Sequence, residues 1–189
     1  MSLFLGRAGT LLTSMPDPAP QSEADRNPIR VRVELCCAGQ DPNLIARLPS
    51  GWAVLTDRQP DAIHGCCMLL PDFEDSAHNT NNNGEHPAVG VLNDLAPQAR
   101  AIFLTDLTRL GDAVLAATGA EHVNYLILCN AVPALHGHVV PRYTSEDPAK
   151  RRMDPLAAYD FPGSRPPDGA GNPKDAALVV RLREALKRI

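Results

Sequence analysis

Pro133-Ala134-Leu135-His136-Gly137-His138-Val139-Val140-Pro141-Arg142-Tyr143 is the stretch on which the reading of this chain turns. From Leu135 to Tyr143 it has the apolar content of a strand. Side chains two apart on a strand share a face. His136 and His138 therefore point the same way, with Ala134 and Val140 beside them, while Leu135, Gly137 and Val139 face the other layer. Each imidazole carries a donor and an acceptor that burial obliges the protein to satisfy. Each also titrates near neutral pH, which suits proton transfer and covalent catalysis. The bare spacing leaves three readings open: two satisfied structural histidines, two ligands of a metal whose third ligand comes from elsewhere, or a nucleophile with its neighbour.

Upstream, Asn130-Ala131-Val132-Pro133 turns the chain, and His122 to Cys129 reads as a strand. Before that, Phe103, Leu107, Leu110, Val114 and Ala117 recur at helical spacing, the mark of a buried helix face. Asn93 and Asp94 offer capping side chains, Pro97 suits a first turn, and Gly119 ends the helix. Trp52-Ala53-Val54-Leu55-Thr56 and Cys66-Cys67-Met68-Leu69-Leu70 read as two strands joined by a polar loop. Ile29 to Leu35 alternates apolar and charged residues and reads as a half-buried strand. Downstream, residues 144–171 are rich in Pro, Gly and charge and read as extended surface coil. A last helix starts at Asn172 as cap with Pro173 in its first turn, and buries Leu178, Leu182, Leu186 and Ile189. The pattern predicts an α+β domain: an antiparallel sheet of about five strands, with a long helix and a C-terminal helix packed against it. Residues 1–28 are expected to be a flexible tail. Residues 29–189 are expected to form a single domain, carrying a surface insertion at about 72–90 around Asn79-Thr80-Asn81-Asn82-Asn83-Gly84.

Composition narrows the function. Net charge is −4, and Lys150-Arg151-Arg152 is too short a basic run for a nucleic-acid tract. No apolar stretch is long enough to span a membrane. Gly6-Arg7 follows the apolar opening where a signal peptide would have its charge first. The five cysteines (Cys36, Cys37, Cys66, Cys67, Cys129) are odd in number and mostly vicinal, which fits reduced thiols in a cytoplasm rather than a disulfide scaffold. Vicinal Cys36-Cys37 is a poor geometry for one tetrahedral ion; His64 and Cys66 are better placed to share one.

The histidine segment resembles the signature of the histidine triad superfamily, in which three histidines alternate with apolar residues, and is closest in kind to its diadenosine polyphosphate hydrolase-like branch. The resemblance runs over roughly residues 50–143. The Trp52–Asp57 and Gly65–Pro71 segments are similar to the family's nucleotide-pocket hairpin, and Val91-Leu92-Asn93-Asp94-Leu95 to the approach to its long helix. Aligned on Pro141-Arg142, the three histidine positions hold Ala134, His136 and His138, so the first histidine is replaced. The resemblance implies a nucleotide phosphohydrolase or nucleotidyl transferase. In that role His136 is the nucleophile at an α-phosphorus, and a partly protonated His138 contacts the phosphate. It further implies Asp57 at the ribose hydroxyls, where a turn-forming Asp after a strand is the other reading, and offers Trp52, Val54 and Leu70 either as apolar walls around the base or as ordinary core. Asn124 and Asn130 are the nearby amides available in place of the first histidine. Arg142 is read as facing away from His138. The family usually works without a metal or other cofactor and forms homodimers through the long helix and adjoining strand. A nucleotide is therefore the expected partner, with neither nucleic acid nor membrane. The replacement by Ala134 leaves a second reading, a catalytically weak nucleotide-binding protein of the same fold.

Overall fold

The computed structural model describes residues 27–57, 59–72, 89–159 and 173–189. The expected tail (but for its last two residues), nearly all of the expected insertion, and the Asn172 cap lie outside them.

The largest departure from the sequence reading comes first along the chain. Pro28–Cys37 is a helix, α1, and not a strand. Asn27 caps it, its side chain accepting from the Ile29 amide at 3.0 Å, and Pro28 occupies the first turn. The residues it buries are Ile29, Arg32, Val33 and Cys36, a helical stripe. The apparent alternation misled because a charged residue, Arg32, belongs to the inner face. The missing strand lies just beyond: β1, Leu44–Leu48, turns through Pro49-Ser50 into β2, Gly51–Leu55. Any side chain at Gly51 would collide with its neighbour, since a Cβ there would sit 2.0 Å from the Leu70 carbonyl oxygen. Strand β3 is Cys67–Pro71, β4 is His122–Leu126 and β5 is Gly137–Arg142. The last two are shorter than the sequence suggested, so His136 stands just ahead of its strand. The five strands are antiparallel in the order β1-β2-β3-β5-β4.

The long helix α2, Pro97–Thr118, covers one face. Its Phe103, Leu107, Leu110 and Val114 bury against Leu55, Leu69, Leu135 and Val139, and Gly119 closes it at φ 71° with its amide on the Leu115 carbonyl. Asn93 and Asp94 do not cap α2. Asp94 instead accepts from the Gly90 and Val91 amides and closes a separate 3₁₀ turn. The buried Asp106 of α2 takes both the amide and the hydroxyl of Ser50 at 2.8 Å, tying the β1–β2 turn to the helix. The last helix, α4 (Pro173–Leu186), adds Leu178, Leu182 and Leu186 to the same core; Ile189 lies beyond its end and is exposed.

The opposite face has two covers. Helix α1 lies over Val54, Met68 and Leu70. Residues 144–159, expected to be surface coil, lie over Val140 and Leu126 through Tyr159 and include a short helix, α3 (Pro155–Ala158). A buried ion pair holds this segment down: the Arg142 guanidinium meets the Glu146 carboxylate at 2.9 Å and also donates to the Lys150 and Met153 carbonyls. Tyr159 donates to Glu146 at 2.8 Å.

Candidate active site

Gly137 decides where the histidines go. A Cβ on Gly137 would sit 2.9 Å from Leu107 Cδ1 and 3.4 Å from Phe103 Cζ, so α2 closes directly on this residue. With odd-numbered positions turned toward α2, His136 and His138 must project from the other face of the sheet. Their rings meet edge to face, with centroids 4.8 Å apart and planes at 76°.

His136 is 7% exposed, and its Nδ1 lies 2.8 Å from the Ala134 carbonyl oxygen. A carbonyl can only accept, so Nδ1 carries the proton. In a neutral imidazole the lone pair is then on Nε2. Burial pushes the His136 pKa below its ordinary value, against the opposing pull of that carbonyl. Burial and the neighbouring His136 push His138 down to about 4. The expectation of a partly protonated His138 is thus corrected for the free site: both pKa values lie below the ordinary imidazole value, so both rings are uncharged at neutral pH. Across the strands His138 stands opposite Met68 on β3 and Leu126 on β4.

The other expected site residues are sorted by the fold. Trp52, Val54 and Leu70 do come together, in one cluster with Ala134 and the α1 residues Ile29, Val33 and Cys36. Val54 and Leu70 are completely buried there, so both act as core beneath α1 rather than as an open wall. Trp52 is half-buried, with the Arg47 guanidinium 4.7 Å above its ring. Asn124 pairs with Val140, on the side of His138 away from Ala134, and its Oδ1 accepts from Arg142 at 2.9 Å. It therefore does not supply an amide beside Ala134, as the sequence reading had expected. Asn130 is exposed in the turn after β4. Arg142 is four residues from His138 and so shares its face, contrary to the sequence reading, but Glu146 engages its charge.

Asp57 lies two residues past the end of β2, with its carboxylate in a fork. Arg32 Nη1 is 3.1 Å from Oδ2, Arg32 Nη2 is 3.0 Å from Oδ1, and Asn43 Nδ2 is 3.1 Å from Oδ1. Sequence reasoning missed Arg32 and Asn43. Neither belongs to a motif, and contacts between residues 32, 43 and 57 exist only once α1 has folded back on the sheet.

Among the described residues no group of three His, Cys, Asp or Glu side chains is placed to hold a metal ion. His64 is turned to Asp175 at 2.9 Å, and the Cys66 thiol to the Ile63 carbonyl. All five cysteines are free, and burial pushes the Cys66 thiol up to about 12 and raises the Cys67 thiol well above its ordinary value, which makes these two unreactive. No helix among the described residues is long and apolar enough to cross a membrane.

No family model and no curated protein matches the chain. Solved structures do. A histidine triad protein from Sinorhizobium meliloti superposes with a TM-score of 0.53 at 19% identity, covering 75% of this chain and 87% of its own. A protein described as a hypothetical histidine triad nucleotide-binding protein, from Sulfolobus tokodaii, gives 0.55 at 10% identity over 84% and 92%. A protein from Marinobacter aquaeolei described only as a histidine triad protein gives 0.50 at 16% over 77% and 88%. At such identities the likeness is one of architecture, and it defines the class: this chain has the histidine triad fold, an α+β five-stranded antiparallel sheet with helices.

Proposed function

We propose that the protein is a nucleotide phosphohydrolase or nucleotidyl transferase that works through a nucleotidyl-histidine on His136. The observation that carries this reading is the Nδ1–H bond from His136 to the Ala134 carbonyl, which leaves Nε2 as a neutral nucleophile beside His138. Nε2 attacks the α-phosphorus of a nucleotide. The bond from phosphorus to the leaving group breaks, and the leaving group departs with the electron pair and takes a proton. Water then adds to phosphorus, displaces His136 and releases a nucleoside monophosphate. Splitting one displacement into two lowers each barrier. His138 donates to the non-bridging oxygens as charge gathers there; one well-placed donor of this kind contributes about 2.7–4 kcal/mol. Asp57 accepts from the ribose hydroxyls and Trp52 offers an aromatic face to the base. The likeness to a Sulfolobus protein described as nucleotide-binding supports the ligand class. Diadenosine polyphosphates and adenosine phosphoramidate are the first substrates to try.

Incubation with radiolabelled substrate and acid-free trapping is expected to label wild-type protein and not His136→Ala, with turnover lost in the variant. Equal turnover in the two would reject His136 as nucleophile. The second reading, binding with little turnover, is favoured by Ala134, which is buried among apolar side chains and adds no imidazole to the site. Tight mononucleotide binding without turnover on either substrate class decides for it. We extend the reading to a homodimer, for which β4 is an edge strand with Tyr125 exposed, and to a cytoplasmic setting, with which the free cysteines agree. Sedimentation of the purified chain tests the dimer.

A further inference from the structure

We infer that Asn124 donates to the leaving group of the proposed reaction, and that Arg142 is the positioning residue that turns the Asn124 amide nitrogen toward it. The inference rests on the proposed nucleotidyl transfer to His136.

The strand order β1-β2-β3-β5-β4 puts β2, with the residues read as nucleoside contacts, on one side of the histidine strand and β4 on the other. A group that hangs from the α-phosphorus away from the nucleoside therefore comes to lie over β4. There Leu126 stands opposite His138, Asn124 opposite Val140 and His122 opposite Arg142. Residues paired across antiparallel strands share a face, so Asn124 lies on the histidine face, diagonal to His138. Diagonal neighbours of this kind are about 7–8 Å apart, near enough for both side chains to serve one ligand.

Arg142 settles which end of the Asn124 amide faces His138. Its Nε donates to the Glu146 carboxylate, its Nη2 to Glu146 and the Lys150 carbonyl, and its Nη1 to the Met153 carbonyl and to Asn124 Oδ1 at 2.9 Å. A guanidinium only donates, so the Asn124 atom it meets is the oxygen. Arg142 and His138 lie to either side of the Asn124–Val140 pair, so with Oδ1 drawn toward Arg142 the Nδ2 end turns back toward His138. Among the described residues nothing accepts from Nδ2, and the side chain is half-buried, so its N–H groups are open to a ligand. Arg142 has no N–H left for an anion and Glu146 offsets its charge, so it orients and does not bind.

An amide NH2 only donates. It suits a leaving group that departs as an oxygen anion. The bond from the α-phosphorus to the bridging oxygen breaks, that oxygen keeps the electron pair, and the Asn124 N–H groups meet the charge it gathers. An amine leaving a phosphoramidate takes up a proton and presents N–H groups of its own, which Nδ2 cannot accept. Asn124 thus favours polyphosphate substrates over phosphoramidates.

The experiment measures kcat/KM and single-turnover labelling of the full chain with diadenosine tetraphosphate and adenosine phosphoramidate. Asn124→Asp keeps an oxygen for Arg142 and puts an acceptor where the donor was. In this variant the ratio of kcat/KM on the tetraphosphate to that on the phosphoramidate is expected to fall roughly tenfold or more, the scale of one lost hydrogen bond to a charged group. Asn124→Ala, which brings no charge, is expected to lower the ratio in the same direction and carries the test should the aspartate variant not fold. The leaving group is present only in the first step. Labelling by the tetraphosphate is therefore expected to slow, while the labelled adduct loses its nucleotide at the wild-type rate. Arg142→Lys is expected to lower the ratio as well, and to lower it no further when added to Asn124→Ala. Equal losses on the two substrates, or an adduct that decays more slowly in the Asn124 variants, would overturn the inference and leave the Arg142–Asn124 bond purely structural. A wild type that turns over neither substrate, or forms no adduct, would instead sink the proposed nucleotidyl transfer.

Discussion

The Nδ1 of His136 lies 2.8 Å from the carbonyl oxygen of Ala134. On the proposed reading, in which Ala134 takes the place of the signature's first histidine, an imidazole is gone but the backbone group that orients His136 is kept. A neutral ring with its lone pair on Nε2 needs that carbonyl, which any residue at position 134 supplies.

The pH dependence of adduct formation follows from this bond. Attack requires unprotonated His136, and burial holds its pKa below 6.5. The rate constant for labelling is expected to be flat above neutrality and to fall only on acidification below that value. An acid limb centred at or above pH 6.5, measured by single-turnover labelling, would mean the ring is not shielded as the fold implies.

His138 makes a related prediction for stability. Its folded pKa is pushed to about 4, below its ordinary 6.5, so between these values the unfolded chain binds the extra proton. Stability then rises with pH across this window, and this contribution is lost as pH falls from about 6.5 toward 4. Urea titrations at pH 7, 6 and 5 are expected to show a shallower pH slope for His138→Gln than for wild type. Identical slopes would assign the acid sensitivity elsewhere.

A histidine at position 134 should cost stability. Ala134 is 2% exposed in the cluster formed with Ile29, Val33, Val54, Met68 and Leu70. Ala134→His adds a ring where there is room for a methyl, and the overpacking is expected to cost about 1–3 kcal/mol. A melting temperature equal to the wild type's would show that α1 yields without penalty.

The Arg142–Glu146 pair offers a test of the cover over the far end of the histidine strand, on the face that carries His138. Both side chains are buried, and Arg142→Met would strand the Glu146 carboxylate. The expected loss is about 3–5 kcal/mol, with Arg142→Met/Glu146→Leu recovering part of it. Denaturant titration of the three proteins reads both numbers. A double variant less stable than the single one would show that the carboxylate is held by Tyr159 and the Tyr143 amide without help from the guanidinium.

Periodicity and punctuation sufficed for much of the architecture. The α2 face from Phe103 to Val114 is legible because apolar side chains three and four apart can be buried together only on a helix, and Gly119 ends it with a backbone angle glycine adopts freely. The β2–β3 pair and the shared direction of His136 and His138 follow equally from local rules. Local rules failed at α1, where Arg32 looked like the solvent side of a strand. Its partners Asp41, Asp57 and the Leu55 carbonyl are assembled by the fold, and they turn a charged residue inward. They failed again at Val54 and Leu70, which a list of apolar neighbours could not tell from pocket walls until α1 was seen to cover them.

By itself the chain of residues determined which side chains can share a face, because that depends on backbone repeat alone. Tertiary structure decided which of those faces are covered, which charges find partners, and which nitrogen of His136 keeps its lone pair. Those outcomes depend on desolvation and on hydrogen bonds between segments far apart in sequence, and such energies do not exist until the segments meet.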